Sequence, residues 1–81
     1  MSEEVRIGGV YRHFKGDEKL YRVLRLAYDC ENLRRVVVYE QLYSAEEYPR
    51  GTIWVRPLED FLEDKVFEDG HRVKRFEYVG D

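Results

Sequence analysis

The chain holds one cysteine, Cys30, and only two histidines. A single thiol cannot build an intramolecular disulfide framework, and with two imidazoles it cannot complete a four-ligand structural zinc site. No apolar run approaches the ~20 residues that span a bilayer as a helix. The start, Met1-Ser2-Glu3-Glu4, is acidic and has no apolar stretch to act as a signal peptide. Together these absences point to a reduced, cytoplasmic setting with no membrane partner. An excess of one charge is missing as well: 14 basic against 17 acidic residues leave a net charge of −3. A wholesale nucleic-acid coat is not made this way, although a local basic patch is compatible with the total. Glycine-rich phosphate loops, His-Glu-x-x-His helices and calcium loops are also absent. The acids Glu59, Asp60, Glu63 and Asp64 follow a solvated helix face, not a pair opposed across a cleft.

What the chain does have is aromatic and β-branched. Aromatic residues make up 15% of it, seven of them tyrosine, and hydrophobic residues 43%. That is enough for a core and argues against disorder. Eighty-one residues make one domain, residues 1–81. Val10 to Phe14 predicts a short strand closed by the turn group Lys15-Gly16-Asp17, and Leu20 to Ala27 a second. Asp29 and Asn32 follow, whose side chains can bond their own backbone in a turn. Arg34 to Tyr43 is the clearest strand, with Val36, Val37, Val38 and Tyr39 in succession. Its apolar residues fall on both parities, so part of it should be covered on both sides. Ser44 to Gly51 predicts the longest loop, and Thr52 to Arg56 a further strand.

Pro57 has no N–H to donate and suits the first turn of a helix. Leu58, Phe61 and Leu62 then make one apolar stripe of a helical turn. Val66-Phe67 and Val73 to Val79 predict a closing hairpin around Asp69-Gly70. Five to six short strands with one helical turn between the last of them predict a mainly β fold, a small SH3-like barrel or β-roll. An OB-like barrel is the alternative, but it carries a longer helix in mid-chain.

Two runs set aromatic rings beside permanent cations: Tyr11-Arg12-His13-Phe14-Lys15 and Trp54-Val55-Arg56-Pro57. Alternation puts Tyr11, His13 and Lys15 on one strand face and Val10, Arg12 and Phe14 on the other. With Val10 and Phe14 in the core, Arg12 would be drawn inward to pair with a carboxylate, leaving His13 exposed beside Tyr11 and Lys15. Trp54 and Arg56 share a face, with Trp54 either a core or rim tryptophan capping one barrel end or a stacking platform beside Arg56 as a fork for carboxylate or phosphate. Tyr39 and Tyr43 have matching parity and either pack the core or extend that platform. Arg12, Arg22, Arg25, Arg34, Arg35, Arg56, Lys74 and Arg75 fall in predicted strands, while most acids lie in loops. The plainest reading is that these cations pair with loop carboxylates.

The runs Gly9-Val10-Tyr11-Arg12-His13-Phe14-Lys15-Gly16, Tyr21-Arg22-Val23-Leu24, Val37-Val38-Tyr39, Leu42-Tyr43 and Trp54-Val55-Arg56-Pro57 resemble the bacterial domain-of-unknown-function 1653 family. The resemblance runs on through Phe61 and Arg75-Phe76. It implies a small SH3-type β-barrel or β-roll and brings no catalytic residues.

The functional expectation is a non-catalytic ligand- or protein-binding module that presents Tyr11, His13, Lys15, Tyr43, Trp54 and Arg56, with no cofactor or metal. Small barrels commonly take extended peptides through aromatic-lined grooves. A nucleic-acid or nucleotide-binding accessory protein is the alternative, with rings stacking on bases and arginines on phosphates. An enzyme built on His13 lacks a recognisable nucleophile–base pair. Cys30, in a turn without an activating neighbour, reads as a spare thiol.

Overall fold

The computed structural model of the protein describes residues 5–81; the acidic start, Met1 to Glu4, lies outside the described residues. Among the described residues seven strands and one short helix follow in order: β1 Val10–His13, β2 Leu20–Tyr28, β3 Arg35–Gln41, β4 Ile53–Pro57, α1 Leu58–Phe61, β5 Asp64–Val66, β6 Arg72–Lys74 and β7 Phe76–Gly80. Five of the strands form an antiparallel sheet in the order β4-β3-β2-β1-β7, and β5 and β6 pair separately. No helix among the described residues is long and apolar enough to cross a membrane.

The sheet is strongly rolled. Four strand spacings of about 4.8 Å would hold its edges roughly 19 Å apart if it were flat. Instead the Arg56 guanidinium on edge strand β4 lies 5.4 Å from the Phe76 ring centre on the opposite edge, β7. Register shifts between Val23 and Arg25 and between Val10 and Tyr11 contribute, since bulges increase local twist. No ladder joins β4 to β7 among the described residues, so the mainly β architecture is a roll and not a closed barrel.

The turns form where small polar side chains replace backbone partners. Asp29 Oδ1 accepts the Glu31 N–H and Asn32 Oδ1 the Arg34 N–H, both at 2.9 Å, between β2 and β3. Gly70, at φ 92°, closes the β5–β6 hairpin, a conformation that costs glycine nothing. The single hairpin expected over Val66 to Val79 divides in two. Residues 72–74 pair with β5, and after a bend at Arg75 residues 76–80 leave to pair with β1.

Core packing is mostly aromatic. Phe61 of α1 is buried and stacks on Phe76 with ring centres 4.2 Å apart. Tyr11 and Tyr39 meet the Phe61 ring edge-on at 5.3 and 5.4 Å. Burying a phenylalanine of this kind contributes about 1.5–3 kcal/mol. Leu58 and Leu62 pack against the same cluster, so the apolar stripe read from the sequence is the face α1 turns inward. Val36 and Val37 are both buried, as the double-parity pattern of β3 requires.

The phase of β1 is the reverse of the expected one. Tyr11 points into the core, 6% exposed, and its hydroxyl accepts the Arg6 N–H at 2.9 Å. Arg12 points outward and pairs with Glu77 on β7 at 2.9 Å. A tyrosine ring fills the space against Phe61 that Val10 would leave open, and the phase of the strand follows from it.

Candidate functional site

Because Tyr11 faces inward, His13 follows it onto the concave side, and Lys15, in the turn after β1, lines the same hollow. Three other segments bring residues of the same parity there: Lys19 and Tyr21 with buried Val23, Tyr39 with buried Val37 and Gln41, and Trp54 with Arg56. Between them lies a hollow of about 270 Å³ lined by His13, Lys15, Lys19, Tyr21, Tyr39, Tyr43, Trp54, Arg56 and Phe76. Five of the six residues expected at a site (His13, Lys15, Tyr43, Trp54 and Arg56) therefore meet. Tyr11 does not join them, since its ring is consumed by the core. Lys19, Tyr21 and Phe76 are the members missed in the sequence. Lys19 and Tyr21 were detectable, because they share parity with Val23, whereas Phe76 reaches the hollow only because the sheet rolls.

A buried glutamine positions the tryptophan. Gln41, 2% exposed, donates from Nε2 to the carbonyls of Tyr43 at 2.8 Å and Tyr48 at 2.7 Å. Its Oε1 accepts the indole N–H of Trp54 at 3.0 Å. One amide thus ties the loop after β3 to the indole, and Tyr48 packs edge-on against that ring at 4.9 Å. Trp54 is a half-buried rim residue with part of its ring open to the hollow.

The cations of the hollow rest on rings and hydroxyls. Arg56 donates from Nε to the Tyr39 hydroxyl at 3.2 Å while lying over Phe76. Lys19 Nζ lies 5.1 Å from the Tyr43 ring centre, and the Tyr21 and Tyr43 hydroxyls share a hydrogen bond of 2.7 Å. Burial, then the bond to Tyr43, raises the Tyr21 phenol above its ordinary value. The lining contains no carboxylate, and among the described residues Lys15, Lys19 and Arg56 make no ion pair.

His13 is held at a pKa of about 4, first by burial and then by the charges of Arg56, Lys15, Arg75 and Lys19. Its Nδ1 lies 3.2 Å from the Lys15 backbone nitrogen. A backbone N–H can only donate, so Nδ1 accepts and the neutral ring carries its proton on Nε2. At neutral pH the hollow therefore offers three permanent cations and hydrogen-bond donors, a setting for an anionic group.

A wider hollow of about 480 Å³ lies on the other side of His13, lined by Arg12, Phe14, Asp17, Phe67, His71, Val73, Lys74 and Glu77. Its charges are of both signs, and Arg12 and Glu77 already satisfy each other. Among the described residues no group of three or more His, Cys, Asp or Glu side chains is placed to hold a metal ion. Cys30 is exposed and unpaired.

Residues 9–78 match the family described as Protein of unknown function (DUF1653). The chain belongs to the DUF1653 family. It is also similar to a solved structure, the crystal structure of a DUF1653 protein from Bordetella bronchiseptica. The two are 38% identical with a TM-score of 0.76, over 95% of this chain and 90% of that one. No curated protein matches the chain. Membership in DUF1653 thus accounts for the fold and carries no named activity with it.

Proposed function

We propose that this DUF1653 domain is a non-catalytic binding module, working in the cytoplasm, that receives an anionic group of a protein or peptide partner in the hollow between β1, β2, β3 and β4. One observation carries the reading. Lys15, Lys19 and Arg56 line an aromatic-walled hollow that receives no carboxylate from the described residues. Arg56 uses Nε on Tyr39, which leaves its terminal nitrogens for a carboxylate or phosphate in bidentate fashion. The tautomer of His13, with Nδ1 engaged by the Lys15 N–H, favours a donor over a general base and so a binding role over a catalytic one.

A nucleic-acid reading has one observation in its favour, the half-open Trp54 ring beside Arg56. A backbone-tracking surface needs a continuous run of available cations. Here Arg6, Arg12, Arg34, Arg72 and Arg75 are each paired with a carboxylate, and the exposed cations Arg25, Arg35, Lys65 and Lys74 stand apart from the hollow.

Trp54 is the only tryptophan, so its emission reports the hollow directly. Titration with inorganic phosphate at constant ionic strength should change that emission saturably. Arg56→Gln should weaken the response about tenfold or more, the worth of a charge-assisted bidentate contact. Emission that ignores phosphate and acetate alike, or an Arg56→Gln protein that responds as the parent does, would remove the proposal. A single-stranded oligonucleotide bound far more tightly than phosphate, with affinity falling steeply in salt, would give the nucleic-acid reading precedence.

A further inference from the structure

Strand β4 is an edge of the five-stranded sheet, and its backbone polarity follows from the register. The Gln41 N–H donates to the Thr52 carbonyl at 2.9 Å. Tyr39 lies opposite Trp54, and Val37 opposite Arg56, in the same register. Hydrogen-bonded pairs alternate along an antiparallel ladder, so Trp54 and Arg56 turn their N–H and C=O groups toward β3. Ile53 and Val55 turn theirs outward. Pro57 shares the outward parity, where a missing N–H costs the ladder nothing.

Side chains alternate too. Trp54 and Arg56 face the hollow, while Ile53 and Val55 stand on the opposite face, 52% and 61% exposed. The other edge, β7, is guarded by Glu77, already paired with Arg12, and by Gly80 at φ 138°. On that outer face Ile53 lies opposite Glu40 and Val55 opposite Val38, and β4 itself carries no charged side chain of outward parity.

We propose that β4 is the docking edge for an extended acidic peptide segment of a partner protein, which adds as a further antiparallel strand and alternates acidic with apolar side chains. This rests on the anion-binding reading of the hollow. In an added strand, side chains opposite Trp54 and Arg56 fall on the concave face, and an acid there stands beside the unpaired Arg56. Side chains opposite Ile53 and Val55 fall on the outer face and cover apolar surface. Main-chain bonds to Ile53 and Val55 supply affinity, and the alternate side chains supply selectivity. A second copy of this chain fits the edge less well. Antiparallel self-pairing centred on Val55 sets the two Arg56 side chains on one face as diagonal neighbours, roughly 7–8 Å apart, and adds like charge to a cluster that already lacks acid.

The test uses the capped peptide Val-Glu-Val-Glu-Val and two twins carrying the same number of N-methyl groups. One twin is methylated on the valines, whose N–H groups would face β4, and the other on the glutamates, whose N–H groups would face away. Trp54 emission gives affinity, and amide exchange reads Ile53 and Val55. The parent peptide and the glutamate-methylated twin should bind alike and slow exchange at both amides. The valine-methylated twin should bind about tenfold more weakly or worse, having lost main-chain bonds. Equal binding of the two twins would overturn strand addition while leaving the hollow as an anion site. Phosphate binding without peptide binding would do the same. Failure of both phosphate and peptide would remove the underlying reading with it. Protection of Ile53 and Val55 without peptide, in a protein that sediments as a dimer, would assign the edge to a second copy and overturn the proposal.

Discussion

The cations at the periphery of the roll and those in its hollow are treated in opposite ways. Outside, Arg12 meets Glu77 across the β1–β7 ladder at 2.9 Å, Arg75 meets Glu63 at 2.9 Å, and Arg34 reaches Glu59 of α1. The Arg12 and Arg34 pairs are exposed and contribute little to stability, whereas Arg75 is half-buried and its Nε has no partner among the described residues. Among the described residues Arg25, Arg35, Lys65 and Lys74 make no ion pair either, but they are exposed and stand apart from the hollow. Lys19 and Arg56 are half-buried, near one another and near His13, and receive only rings and hydroxyls. No carboxylate of the described residues lines the hollow. Like charges therefore gather there and add to burial in lowering the pKa of His13. What the contrast teaches is that the informative cations are the ones the fold declines to neutralise.

The largest expected effect comes from removing the scaffold beneath that cluster. Gln41→Leu keeps the volume of the side chain but strips partners from two carbonyls and the Trp54 indole. Buried groups left unpaired in this way should cost about 2–4 kcal/mol, read in a thermal melt as a fall of about 10 °C or more. Trp54 emission should change at the same time. An unchanged melt would mean that water replaces the amide without loss. Arg12→Gln is the matched peripheral substitution to Arg56→Gln, and phosphate affinity should ignore it. If both substitutions weaken phosphate binding equally, the distinction between periphery and hollow collapses.

Acid sharpens the contrast next. The unfolded His13 ring titrates near ~6.5, while in the fold it is held at about 4 by burial and the surrounding cations. Between those values the unfolded chain binds more protons than the folded one. The stability His13 contributes is therefore complete above pH about 6.5 and is lost as pH falls toward about 4. Melting temperatures across that range should decline less steeply in His13→Gln than in the parent. Identical slopes would show that neither burial nor the cation cluster shifts His13.

The gross fold was legible because it is local. The β-branched run of β3, the Pro57 break, the α1 stripe and the Asp69-Gly70 turn each depend on neighbours within a few residues. The site was legible to the extent that parity is. His13 and Lys15 follow one strand, Trp54 and Arg56 another, and their union needed only that both face one way. What parity could not give was its sign. Whether Val10 or Tyr11 enters the core depends on Phe61, fifty positions away, so alternation alone puts Tyr11 on the candidate face and Arg12 in the core. The division of Val73 to Val79 between two sheets has the same origin, since β7 leaves the hairpin to complete β1. Charge pairing was legible in kind, with arginines finding carboxylates, but which cations would go without depended on the roll.

The smallest effect tests the periphery from the side of the backbone. Leu33, in the turn before β3, is 73% exposed and adopts φ 61°, a left-handed conformation that costs a leucine roughly 1–2 kcal/mol. Its N–H still closes the turn onto the Asp29 carbonyl at 2.7 Å, so the turn imposes the strain. Asparagine tolerates this region better, and little apolar burial is lost by replacing an exposed side chain. Leu33→Asn should therefore raise stability by about 0.5 kcal/mol, a gain of a few degrees in the melt, and leave phosphate affinity untouched. A gain in stability accompanied by altered binding would show that the β2–β3 turn communicates with the hollow and that periphery and site are not independent. A loss of stability would mean that the Leu33 side chain covers more apolar surface than its exposure allows.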